Sequence, residues 1–153
     1  MKSNETIKMN IFGKERELKI ILVGDNEPNY TENTEEIVKL VPKEEELLNW
    51  FLHIDFSEYK EKIQKYINYV GHECCGLRKI SKRKIAKDKY FLPVGIIINV
   101  IKDMDDETAE IALYAESDYL EDAVTIAFKN GKYFGMTGFD DCMNCFEDEF
   151  YEE

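Results

Sequence analysis

The chain predicts an α+β fold, a single domain in which an antiparallel β-sheet carries two central α-helices packed on one face. Three observations predict it. Apolar and polar residues alternate near the N-terminus and again from about residue 94 to 138, the period of a half-buried strand. Between these stretches the apolar residues recur every three or four positions, the period of a helix. Short turn signals such as Asn130-Gly131 separate the later alternating runs, as hairpins of an antiparallel sheet require.

Each element follows from its own residues. In residues 6–23, Ile7, Met9 and Ile11 alternate with polar residues, and Leu18, Ile20 and Leu22 do likewise. That predicts two strands joined at Gly13-Lys14. "GDNEPNYTENT", 24–34, is a loop by composition, and "EEIVKLV" is a strand or a helical turn. Pro42 suits the first position of a helix running to about Leu52, with Glu44, Glu45 and Glu46 where the helix dipole favours negative charge. Asp55 caps a second helix, with Glu58 completing a capping box and Ile54 and Tyr59 at the positions of a hydrophobic staple. Phe56, Tyr59, Ile63, Tyr66, Ile67 and Val70 form its apolar stripe, and Gly71 is placed to end it in a left-handed turn. Strands are predicted at 94–102, 108–116, 121–129 and 132–138, with a turn from Asp103 to Glu107. Val124, Ile126 and Phe128 share one face of their strand, and Thr125, Ala127 and Lys129 the other.

With 153 residues and 44% hydrophobic content, the chain suits one core, so residues 1–153 read as one domain ending in an acidic tail, 140–153. Its longest apolar run, "VGIIINVI" at 94–101, is far short of the roughly 20 residues of a membrane span and is interrupted by Asn99. The first residues lack the apolar core of a signal peptide, which makes the cytoplasm the expected location. The net charge of −12 repels phosphate backbones and disfavours nucleic acid as a partner; it either attracts a basic protein or simply keeps the chain soluble, the commoner use of such charge.

The charge is unevenly spread. Residues 78–89 hold Arg78, Lys79, Lys82, Arg83, Lys84, Lys87 and Lys89 against the single Asp88. The tail holds Asp140, Asp141, Glu147, Asp148, Glu149, Glu152 and Glu153 and no base. One reading pairs the two segments within the chain. Another has the acidic surface meeting a cationic protein, with Phe146 and Phe150 as apolar anchors beside the carboxylates. The expected partner-binding residues are therefore Asp140, Asp141, Phe146, Glu147, Asp148, Glu149 and Phe150.

The four cysteines stand as Cys74-Cys75 and Cys142-x-x-Cys145, with His72 nearby. Zinc needs four thiolate or imidazole ligands in a tetrahedron, and His72, Cys74, Cys142 and Cys145 are the alternative set that would supply it. No cofactor is the first expectation. A redox role for Cys142 and Cys145 is disfavoured because the surrounding carboxylates make the thiolate scarcer. His53 ends an apolar helical stretch, where packing or capping is the usual role. No nucleophile motif, P-loop or dinucleotide fingerprint is present, so no enzyme is expected.

The stretch "YAESDYLEDAVTIAFKNGKYFGMTGFDD", 114–141, with "FGKERELKI" near the N-terminus, resembles a family of small bacterial domains of unknown function that end in a β-meander. Some relatives of that kind sit among toxin-immunity genes. The resemblance implies a cytoplasmic immunity protein that binds and neutralises a toxin. The family's Trp-Asp-x-Glu-His-Gly segment is replaced here by "SDYLEDAV", so no functional histidine carries over.

Overall fold

The N-terminal alternation folds as a hairpin. Strand β1 (Thr6–Ile11) and strand β2 (Lys14–Leu22) pair antiparallel around Phe12 and Gly13. Both turn residues have positive φ, 56° and 83°, which places the turn one residue earlier than Gly13-Lys14. The computed structural model describes residues 5–22, 40–103 and 106–138, with backbone only for Cys74, 100–103 and 106–108. Helices α1 (Pro42–Leu52) and α2 (Lys60–Asn68) follow, then strands β3 (Leu92–Asp103), β4 (Asp106–Ser117), β5 (Asp122–Lys129) and β6 (Lys132–Thr137). The expected 24–34 loop, most of "EEIVKLV", and residues 104 and 105 of the expected turn lie outside the described residues.

The six strands form one sheet in sequence order, β1 to β6. It is mixed rather than wholly antiparallel, because β2 and β3 run parallel, Lys19 to Leu22 against Gly95 to Ile98. The cause is topological. A parallel neighbour needs a long crossover, and residues 23–91, with both helices, provide it. The predicted meander is present, and Asn130-Gly131 joins β5 to β6 with φ of 51° and 81°, the mirror-image turn that matches strand twist.

Alternate residues of these strands feed two clusters on opposite faces of the sheet. The larger includes Ile20, Ile96, Ile98, Ile111, Leu113, Val124, Ile126 and Phe128 from the strands. The helices add Leu47, Leu48, Phe51, Ile63, Tyr66 and Ile67 to it. The smaller has Ile97, Ala112 and Ala127, with Ile21, Tyr114 and Phe134 packed alongside. At the centre of the larger cluster is Phe128, 1% exposed. The rings of Trp50, Phe51, Phe56, Tyr59 and Tyr133 lie 5.4–6.0 Å from it, mostly edge to face.

Two local expectations are corrected. Asp55 does cap, but its carboxylate accepts from Ser57 N–H at 3.1 Å and Ser57 Oγ–H at 2.6 Å rather than from Glu58. The Glu58 N–H instead donates to the Asp55 carbonyl, and the first turn, Phe56–Tyr59, tightens to 3₁₀ before α2 begins. A reciprocal carboxylate occurs on α1, where Glu44 Oε1 accepts from Val41 N–H at 2.9 Å. Gly71 does not end the second helix. The helix widens into a π-turn over Tyr69–Cys74, and the left-handed residue is Gly76, with φ of 75°. Gly71 is buried where an added Cβ would come within 3.1 Å of Leu120 Cδ2, so packing requires a small residue there.

Residues 76–91 cross beside α2. The Ile80 N–H donates to Asn68 Oδ1 at 2.9 Å, and its carbonyl accepts from Gln64 Nε2 at 3.1 Å and Asn68 Nδ2 at 3.2 Å. A 3₁₀ turn at Lys82–Ala86 then buries Ile85. No helix among the described residues is long and apolar enough to cross a membrane.

Because Phe128 joins both helical segments to the sheet, Phe128→Ala is expected to cost about 3–5 kcal/mol. A urea titration should show a lower midpoint with an unchanged slope. Lys132→Ala at the exposed hairpin should change stability by no more than about 0.5 kcal/mol.

Candidate functional site

Two groups of side chains stand out, one on the surface and one buried. The surface group is the turn between β4 and β5. Ser117, 2% exposed, closes it, its Oγ accepting from Leu120 N–H at 3.2 Å. The Glu121 N–H donates to the Asp118 carbonyl at 3.3 Å, and Glu121 takes a positive φ of 57°. Asp122 Oδ1 accepts from Ala123 N–H at 2.7 Å and starts β5. The turn therefore presents four exposed carboxylates: Glu116, Asp118, Glu121 and Asp122. With Tyr114, Ser117 and Ala123 they line an open cavity of about 390 Å³. Strand β6 ends at the same edge of the sheet. A Cβ on Gly138, just after it, would lie 2.9 Å from Asp122 Oδ2. The acidic segment 140–153 thus follows in sequence from a residue that lies close to the acidic turn.

The buried group lies on the sheet face away from the larger cluster. Asn99, Glu110 and Lys129 are successive cross-strand partners on β3, β4 and β5. Asn99 Nδ2 donates to Glu110 Oε2 at 3.5 Å, and Lys129 Nζ is 3.9 Å from Glu110 Oε1. Lys129 also sits over the Phe134 ring, 5.0 Å from its centroid. Glu110 is 5% exposed, and Asn99 Oδ1 has no hydrogen-bond partner. Burial drives the Glu110 carboxyl up to about 7, and the attraction of Lys129 and the Asn99 hydrogen bond offset only part of that rise.

The sequence-predicted sites fall as follows. Asp140, Asp141, Phe146, Glu147, Asp148, Glu149 and Phe150 lie outside the described residues, as do Cys142 and Cys145. Of the alternative zinc ligands, only the His72 side chain is described. It is exposed, and its Nδ1–H donates to the Leu77 carbonyl at 2.8 Å, which leaves Nε2 as the ring's acceptor. Cys75 is a free, exposed thiol. Among the described residues no three His, Cys, Asp or Glu side chains are grouped to hold a metal ion. His53 acts as a capping residue, Nδ1–H donating to the Asn49 carbonyl at 2.7 Å.

The turn carboxylates Glu116, Asp118, Glu121 and Asp122, and the row at Glu110, were not among the predicted site residues. Only Asn99, a polar break in an apolar run, signals the buried row in sequence. Compared with family models, with curated proteins and with solved structures, the chain matches none.

The row makes stability depend on pH. A carboxyl held up to about 7 in the folded chain binds its proton more tightly there than when unfolded. Its contribution is full below about 4.5 and is lost as pH rises toward 7, worth about 3 kcal/mol. Glu110→Gln, which carries no charge at any pH, should gain about that much relative to wild type between pH 4.5 and 8. Urea midpoints for the two chains at both pH values check this, and a constant difference would contradict it.

Proposed function

We propose that the chain is a non-enzymatic, cytoplasmic protein-binding protein that neutralises a basic toxin domain, in the manner of a bacterial immunity protein. Carboxylates occupy a cationic cleft that the toxin uses for phosphate or another anion, and occlusion blocks it. In this reading the two helices cover one face of the sheet. The binding surface forms at the sheet's end, where β4, β5 and β6 meet.

The observation that carries the reading is the nearness of Gly138 to Asp122 at the acidic turn, where an added Cβ would crowd the Asp122 carboxylate. It supports treating Glu116, Asp118, Glu121 and Asp122 as one surface with the acidic segment that follows Gly138. A concentration of one sign of charge steers an oppositely charged partner and speeds encounter. The net charge of −12 adds to that field. Phe146 and Phe150 would supply the apolar anchors that carry most of an interface's energy. The likeness of residues 114–141 to a family with members near toxin-immunity genes points the same way.

The test uses the full-length chain as bait in lysate of its native host at low and moderate salt. A basic protein should be retained, released by salt, and inhibited when recombined with the purified chain. Glu121→Gln with Asp122→Asn, or Glu147→Gln with Asp148→Asn and Glu149→Gln, should weaken binding at least about tenfold, since close interfacial charge pairs contribute about 1.5 kcal/mol or more. Retention unchanged in both variants overturns occlusion by carboxylates.

A further inference from the structure

The basic arm, residues 78–89, is an ordered surface with no internal neutralisation. It is fixed to the fold at both ends. Near its start, Ile80 is held by Gln64 and Asn68 of α2 through three hydrogen bonds. At its end, the Lys89 carbonyl accepts from Tyr119 N–H at 3.1 Å, and the Tyr90 and Tyr119 rings pack at a tilt, 5.1 Å between centroids. Ile80 and Ile85 are buried, so the apolar residues face inward and the cations outward. Six of the seven cations are exposed and Lys84 is half-buried.

The arm's single carboxylate is already engaged elsewhere. Asp88 accepts from Arg16 Nη2 of β2 at 2.6 Å. Among the described residues no ion pair joins any of the seven arm cations to a carboxylate. That is unexpected in a chain with 32 acidic residues against 20 basic ones. Seven clustered like charges repel one another, so an anionic partner is favoured there.

We propose that this arm is the docking surface for the chain's own acidic C-terminal segment, residues 140–153, engaged in cis. The charges match, seven cations against seven carboxylates with no base among them. The origins are close in the fold. The arm ends on Tyr119 and the acidic segment begins after Gly138, which lies close to Asp122, three residues further along the same turn. Fifteen residues follow Gly138, a reach of up to about 50 Å when extended. A short tether holds its ligand at an effective concentration near millimolar, well above that of a second copy in dilute solution. Nucleic acid is the poorer occupant, because the rest of the molecule repels it. The arm would also compete with any cationic protein for the same carboxylates. The inference concerns the isolated chain and does not depend on the partner proposed above.

Carbodiimide coupling of the purified full-length chain tests it, since the reagent joins a lysine amine to a carboxylate only at ion-pair distance. At low salt, peptide mapping of the monomer band should find amide links from Lys82, Lys84, Lys87 or Lys89 to carboxylates of 140–153. Their yield should fall about tenfold near 1 M salt, where the screening length is about 3 Å. It should also fall in the full-length Glu147→Gln, Asp148→Asn, Glu149→Gln variant. Links found only in a dimer band would assign the arm to a second copy and overturn the cis proposal. Arm lysines linked to other carboxylates, or to none, would overturn it as well.

Discussion

The ring of Phe128 is the contact on which the fold most depends. It comes from β5, yet the rings around it belong to α1, to the tightened turn before α2 and to β6. Edge-to-face aromatic contacts add about 0.5–1.5 kcal/mol per pair beyond the area they bury. Their larger effect is geometric, because each ring restricts how its neighbours sit. Once Phe51 and Phe56 are seated against Phe128, the path of α2 is set. With α2 placed, Gln64 and Asn68 can hold Ile80, and the basic arm takes its course. A surface segment that buries Ile80 and Ile85 in the core is thus positioned by the aromatic cluster.

Strand β3 imposes the second constraint. Its residues Ile96, Ile97 and Ile98 are all buried, so it needs cover on both faces and a neighbour on both edges. The antiparallel β4 supplies one edge and the parallel β2 the other. On the face away from the larger cluster this leaves Glu110 between Asn99 and Lys129 with little solvent. A carboxyl in such a place loses hydration that two weak contacts do not replace. Its raised proton affinity is the expected response. Removing the orphaned Asn99 acceptor and the buried acid together would be a milder change than removing either partner alone.

Charge is unevenly spread along this chain, with a basic stretch at 78–89 and an acidic one at 140–153. The β4–β5 turn carries carboxylates on its surface, while the basic arm reaches the same turn through the Tyr119 backbone. Opposite charges therefore approach one another at one end of the sheet. The arrangement suits two exchanges, one within the chain and one with a cationic partner, and both are weakened by salt. The arm's own carboxylate, Asp88, pairs with Arg16 and so links the arm to β2 without neutralising its cations. That guanidinium holds the Asp88 carboxyl below the usual carboxylate range.

Local physics was legible in the residues. Pro42 starts α1 and Leu52 ends it, Asp55 caps the next turn, and Asn130-Gly131 closes its hairpin, because each signal acts within a few residues. The two faces of β5 could be read from alternation alone, since side chains of a strand point alternately up and down. What alternation does not encode is direction. Ile20 and Leu22 present the same pattern to a parallel or an antiparallel neighbour, and only the crossover through residues 23–91 decides between them. Gly71 misled for a related reason. Its sequence position suits a helix end, but its smallness serves a contact with Leu120, nearly fifty residues away in the chain. The Asn99–Glu110–Lys129 row arises in the same way, from register between strands. Composition determined the acidity, the apolar content and the basic arm. Which charges meet, and which are buried, was decided by tertiary structure, because desolvation and Coulomb attraction depend on distance in space rather than along the chain.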